Sequence, residues 1–224
     1  MDIKILFEDE HVVVAYKPHG VPSQADKTGD MDIVTYLTKE CSTKYIGVIN
    51  RLDRPVGGIM VFAKNPQSAA ILSLQLQKNE ISKQYTAVIC GEPAEKNGEL
   101  VDYLLKNQKQ NISKVVNKGT KESKEARLKY SVLNTVEDEG WGKLSLVTVD
   151  LITGRHHQIR VQFSSRNLPL WGDSKYNEAF KKSREFTEIA LCSTSLGFKH
   201  PKTNKPMEFV VKAEGKAFKL FEDK

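Results

Sequence analysis

Residues 126–151 read ARLKYSVLNTVEDEGWGKLSLVTVDL. Apolar and polar residues alternate from Ala126 to Val136 and again from Lys143 to Leu151. A period of two sends successive side chains to opposite faces of a strand, so both runs are expected to be half-buried antiparallel strands. Their connection, Glu137 to Gly142, ends in Gly-Trp-Gly.

The pattern repeats on either side. Upstream, KQYTAVIC (residues 83–90) reads as a strand stopped by Gly91. Between these strands, residues 107–124 are polar and rich in Lys, Asn, Ser and Gly. Strand patterns resume on both sides, so this stretch is expected to be a long exposed hairpin or loop and not a domain linker. Downstream, Thr153-Gly154 precede a short helix, HHQIRVQFSSR, and alternation returns at Glu208-Phe209-Val210-Val211.

Toward the N-terminus, Ile3 to Tyr16 reads as strand, a polar turn and strand again, stopped by Lys17-Pro18. Asp30 is placed to cap a short helix carrying Ile33, Tyr36 and Leu37 at helical spacing. Ile46 to Ile49 leads into Arg51-Leu52-Asp53, and Pro55 with Gly57-Gly58 breaks any regular element there. Ile59 to Ala63 reads as a buried strand. Asn65-Pro66 then starts a helix that runs to about Asn79 with Ala69, Leu72 and Leu76 on one face. These meanders, interrupted by a few helices, predict an α+β fold with a mixed, mainly antiparallel sheet flanked by helices and loops. One domain is expected over residues 1–224, without internal repeats or low-complexity tails.

Composition excludes some classes. The 224 residues are 39% hydrophobic and 28% charged, the balance of an ordinary globular chain. No apolar run approaches the roughly 18 residues of a membrane span. The opening MDIKILFEDEH carries acids where a secretory signal would carry basic and apolar blocks, so a cytoplasmic location is expected. Cys41, Cys90 and Cys192 are few and scattered, which predicts buried reduced thiols and neither a disulfide framework nor a metal knuckle. Lys and Arg number 34 against 28 acids, a net charge of +6 that favours a polyanionic partner.

Four constellations could carry chemistry. Asn50-Arg51-Leu52-Asp53 puts a carboxylate beside a basic residue in a Gly-rich break; on spacing alone, an Arg–Asp pair tying down a turn explains it as well or better. Gly154-Arg155-His156-His157-Gln158-Ile159-Arg160 looks like an anion-facing loop entering a helix. Adjacent histidines point in different directions and have no carboxylate pattern to complete a ligand set, so no metal is expected. Lys83-Gln84-Tyr85 opens a strand, where a Tyr is usually packing. Leu170 to Tyr176, LWGDSKY, reads as a Gly-Asp turn closed by packed rings.

Taken in order, Arg-Leu-Asp with a Gly pair, Lys-x-Tyr, Gly-Arg-x-His-Gln-Ile-Arg and Gly-Asp-x-x-Tyr resemble the RluA-type family of RNA pseudouridine synthases. ILFEDEHVVVAYKPHGVPSQ is similar to that family's first strand pair and its Lys-Pro-x-Gly turn. SKEARLKYSVL and LCSTSLGFKHPKTNKPMEF are similar to its later strands. The resemblance runs from about Ile3 to Val211. It departs from the family pattern at Asn50, Gln162 and Cys192, where His is usual, and at Val56-Gly57, where Thr-Ser is usual. Many relatives carry an N-terminal module of the S4 type; here the catalytic pattern begins at residue 3, and a chain lacking that module is expected.

The resemblance implies isomerisation of a specific uridine in ribosomal or transfer RNA, with no cofactor and no metal. It assigns Asp53 as the catalytic carboxylate, attacking covalently or taking a sugar proton, and Arg160 as the arginine that keeps it ionised. Tyr85 would stack on the base and take the C5 proton. Leu191 would wall the uracil ring. Arg51 would hold the flipped arrangement, and Arg155 would support the loop or a phosphate. Lys106, Lys109, Lys114, Lys118 and Lys121 either track RNA backbone or form a solvated loop. A monomer and no membrane partner are expected. Two rivals remain: a non-catalytic RNA-binding protein that keeps the fold, and a hydrolase using Asp53 with His156 or His157.

Overall fold

The computed structural model describes residues 3–182 and 187–222. In chain order the elements are β1 (Lys4–Glu8), β2 (Val12–Lys17), α1 (Ile33–Glu40), β3 (Gly47–Val48), β4 (Gly57–Ala63), α2 (Pro66–Gln77), β5 (Ser82–Cys90) and β6 (Asn97–Asn107). They continue with β7 (Ile112–Val116), β8 (Lys124–Asp138), β9 (Gly142–Leu151), α3 (Gln158–Ser164), α4 (Glu178–Lys181), β10 (Leu191–Lys199), β11 (Pro206–Val210) and α5 (Lys216–Lys219). The fold is α+β and mainly antiparallel, with helices flanking the strands. Contacts divide the chain into two compact units: residues up to Lys83 with Ser193–Lys212, and Gln84–Cys192 with Ala213 onward.

In the first unit β2 is paired on both edges, with β1 and with β4, running from Val12↔Ala63 to Lys17↔Gly58 on the β4 side. All seven residues of β4 are buried, which explains its unbroken apolar run. Val12, Val14, Ile59, Val61, Leu196 and Phe198 form a core cluster with Leu72 of α2. Ala69 and Leu76, predicted to share a face with Leu72, pack against the same cluster. The Asn65 carboxamide caps α2 by accepting from the Ser68 N–H at 2.8 Å.

The cap of α1 is Asp32 and not Asp30. Asp32 directly precedes the first helical residue, so its carboxylate reaches the Val34 and Thr35 N–H groups at 2.9 and 3.1 Å. Asp30 lies too far back for that and instead pairs with Arg54.

The second unit contains the antiparallel array β5-β9-β8-β6-β7. The predicted hairpin of residues 126–151 closes at Asp138↔Gly142, and a bulge between Val132 and Asn134 breaks the alternation and leaves Leu133 exposed. The polar stretch 107–124 takes the hairpin form of the two that were expected. Its first part forms β7, which folds back on β6 through Asn107↔Ile112. The predicted short helix is α3, with six of its seven residues buried.

All three cysteines are reduced, but only Cys192 is buried; Cys41 and Cys90 are half-buried. Among the described residues, no helix is long and apolar enough to cross a membrane.

Candidate active site

Asp53 lies in the irregular segment between β3 and β4. Arg51 is exposed, Leu52 is buried and anchors the segment, and Asp53 is half-buried. Four successive main-chain carbonyls around the carboxylate each have a donor. The Ser23 hydroxyl donates to Leu52 O at 2.6 Å. The Val56 N–H closes a turn onto Asp53 O at 2.9 Å. Arg54 O accepts from the Gly20 N–H at 3.0 Å and from the Lys17 ammonium at 3.2 Å. Pro55 O accepts from His19 Nδ1 at 2.8 Å.

Lys17 is the unusual member, because its side chain is fully buried. A buried ammonium is costly unless it is solvated by the protein. Here its Nζ also donates to Val21 O at 2.7 Å and Pro18 O at 3.1 Å. It therefore draws the turn after β2 and the Asp53 segment onto one charge. The ion pairs of Arg54 with Asp26 and Asp30 lie at the surface and contribute little beside this.

Asn50, at a position where the resemblance leads one to expect His, is buried, and its Oδ1 accepts from the Val61 N–H at 2.9 Å. Gly58 has φ +125°, and a Cβ there would lie 2.4 Å from the Ser193 backbone, so no other residue fits.

Arg160 belongs to the second unit and is held differently. Its guanidinium makes a side-on fork with Asp173, Nε to Oδ2 at 2.8 Å and Nη2 to Oδ1 at 2.7 Å. Both side chains are almost fully buried. Asp173 also accepts from the Lys175 and Tyr176 N–H groups at 2.9 and 3.2 Å. The predicted Gly-Asp turn exists, and its carboxylate has a second use as the counter-ion of Arg160. The guanidinium also sits 5.2 Å from the ring centroid of Tyr176.

The Tyr176 hydroxyl accepts from the Ser113 N–H and shares a hydrogen bond with His157 Nδ1, both at 2.7 Å. Burial, with Arg160 the next largest cause, drives the His157 pKa from 6.5 down to about 2. His157 is a neutral structural side chain.

His156 stacks on His157 and bonds to Ser113 Oγ and Asn111 Oδ1 through its two ring nitrogens. These bonds tie the β6–β7 hairpin to the start of α3. Gln158 staples the loop before α3, accepting from Thr153 Oγ1 and the Arg155 N–H and donating to Arg127 O. Arg155 is exposed and donates through Nε to Glu125 O at 2.7 Å.

Tyr85 stands in β5 opposite Val149 and is 6% exposed, and Leu191 at the start of β10 is buried. Lys106, Lys109, Lys114, Lys118 and Lys121 are all exposed, on or beside the β6–β7 hairpin. Sequence reading missed Lys17, Ser23 and His19 as supports of Asp53, and Asp173 as the partner of Arg160. Lysine is rarely buried, so Lys17-Pro18 signalled only the end of a strand. The aspartate of a Gly-Asp pair is explained well enough by the turn itself.

The sequence model of the RNA pseudouridylate synthase family matches residues 11–165, a span that contains Asp53, Tyr85 and Arg160. An uncharacterized RNA pseudouridine synthase of Bacillus subtilis, YlyB, is 32% identical over 93% of this chain and 68% of its own length. The tRNA pseudouridine synthase C of Haemophilus ducreyi is also 32% identical, over 91% of this chain and 88% of its own. Among solved structures, human RNA pseudouridylate synthase domain containing 1 is similar in fold, with a TM-score of 0.79 at 20% identity over 94% of this chain and 83% of its own. With more than half its length matched by the family model, this chain belongs to the RNA pseudouridylate synthases and is an enzyme of that family.

Proposed function

We propose that this synthase is of the RluA type and converts one uridine of a folded ribosomal or transfer RNA to pseudouridine, with Asp53 as its catalytic carboxylate. The reaction breaks the N1–C1′ bond, rotates the uracil and forms a C5–C1′ bond; C5 loses its proton and N1 gains one. No group or electron enters or leaves, so no cofactor is called for.

The observation that supports Asp53 is its setting: a half-buried carboxylate on a segment whose carbonyls from Leu52 to Pro55 all carry donors. That is the preorganisation a catalytic group needs. Arg160 is the basic group of the reaction, and Tyr85 stacks on the base and takes the C5 proton. Leu191 provides an apolar wall.

A stacked uridine has to be flipped out first, at about a few kcal/mol, and the exposed Arg51 serves to hold the flipped arrangement. The lysines on and beside the β6–β7 hairpin track the RNA backbone, and Arg155 orders the loop next to them. The proposal extends to a monomer working in the cytoplasm.

Chemical labelling with reverse-transcription stops, on ribosomal and transfer RNA lacking modifications, tests this reading. A stop at one defined uridine with the wild type and none with Asp53→Asn supports it. Full activity in Asp53→Asn sinks the role of Asp53.

A further inference from the structure

The donor to Pro55 O differs from the others around Asp53. A carbonyl only accepts, so His19 Nδ1 carries the proton of that 2.8 Å bond. The other ring nitrogen, Nε2, is enclosed and has no hydrogen-bond partner among the described residues. What it faces is Gly57. A Cβ built on Gly57 would lie 2.7 Å from Nε2, 2.8 Å from Cδ2 of the same ring and 3.1 Å from the Tyr16 hydroxyl.

Gly57, unlike Gly58, has a backbone conformation open to any residue, since no left-handed φ occurs there. The imidazole of His19 occupies the side-chain space at 57, so with the ring in this place only glycine fits, and the reason is steric. The ring is thus wedged between a carbonyl two residues after Asp53 and the bare α-carbon of Gly57. The Val56 N–H bond to Asp53 O ties both points to the turn that begins at Asp53.

We propose that His19 and Gly57 form an interlocking pair that positions Asp53, with His19 acting through the 53–56 turn and not on the substrate. The proposal rests on the assignment of Asp53 as the catalytic carboxylate. Removing the ring leaves the Pro55 carbonyl without its donor and opens a gap beside Gly57. Adding a methyl group at 57 displaces the ring and with it the donor to Pro55 O. A shift of about 1 Å in a reacting group costs on the order of a hundredfold in rate.

The pair is tested by giving a strain deleted for this gene plasmids that carry the full chain or its variants, and quantifying pseudouridine in total RNA. Single-turnover rates and RNA affinity are then measured on the transcript so identified. Gly57→Ala and His19→Ala are each expected to slow the chemical step by roughly tenfold to a hundredfold, with RNA affinity within about threefold of wild type. His19→Asn keeps an N–H near the place of Nδ1 and is expected to recover most of the rate.

The double variant His19→Ala/Gly57→Ala is expected to be faster than Gly57→Ala alone, because the clash is gone; multiplicative losses would show that the two sites do not interlock. Thermal melts identify any variant that fails to fold, and His19→Asn against wild type then carries the test. Wild-type rates in both single variants, with Asp53→Asn inactive, overturn the pair and leave Asp53 standing. An active Asp53→Asn, or a wild type that makes no pseudouridine, overturns both readings.

Discussion

Two charged groups named as catalytic are supported in opposite ways. Asp53 rests on main chain: its neighbours' carbonyls are gathered by Lys17, Ser23, Gly20 and His19, with a lysine buried to do it. Arg160 rests on side chains: a buried fork with Asp173, the ring of Tyr176 and, behind it, neutral His157. A carboxylate on a loop needs its backbone fixed, since loops are mobile by default. An arginine on a helix already has a fixed backbone, so what has to be fixed is the long side chain and its charge. The first kind of support spreads over several main-chain bonds, whereas the second is built around a buried ion pair.

The sharpest break in that comparison is Asp173→Ala. It removes the two-bond fork from the buried Arg160 guanidinium and is expected to lower stability by about 3–5 kcal/mol, read from urea denaturation. A loss under about 1 kcal/mol would mean that the fork with Asp173 is not the main support of the arginine.

On the other side, Lys17→Met keeps the length and removes the charge, stranding the carbonyls of Pro18 and Val21 and leaving Arg54 O with the Gly20 N–H. The expected loss is about 1–3 kcal/mol, and the rate is expected to fall further than RNA affinity. Equal falls in rate and affinity would place Lys17 in the general fold and not in the support of Asp53.

Acid separates the two regions without mutation. The folded-state pKa of His157 lies below its ordinary 6.5, at about 2, so the unfolded chain takes up this proton first as pH falls. Its contribution is complete above pH 6.5 and is lost as pH falls from there toward 2, by up to about 1.4 kcal/mol per unit. Urea midpoints at pH 7 and pH 5 should diverge in the wild type and diverge less in His157→Asn. An identical pH slope in the two proteins would remove His157 as the cause.

The smallest expected effect lies outside both regions. Lys109→Gln and Lys118→Gln should each reduce the salt dependence of RNA binding by about one unit of slope and leave the single-turnover rate unchanged. A salt slope equal to that of the wild type would assign these lysines to a solvated loop.

Periodicity and local chemistry were enough to read much of the fold. The hairpin of residues 126–151, the buried β4 and the Asn65-Pro66 start of α2 are all set by neighbours in sequence, through side-chain alternation and capping within a few residues. The cap of α1 was read two residues early, because two aspartates precede that helix and only the observed start at Ile33 distinguishes them. The resemblance supplied Asp53, Tyr85 and Arg160 as an ordered set.

Other features arise from residues far apart in the chain. The burial of Lys17, the donors brought to Leu52, Arg54 and Pro55 from a turn some thirty residues earlier, and the room for His19 against Gly57 depend on β2 pairing with β4. The fork between Arg160 and Asp173 requires α3 and the turn after Trp171 to meet. By itself the sequence determined which elements form and which residue types could do chemistry, because propensity and periodicity act locally. Only the tertiary structure decided which carbonyls the buried ammonium collects and which carboxylate the arginine takes, because hydrogen-bond geometry and desolvation are fixed only once distant segments pack.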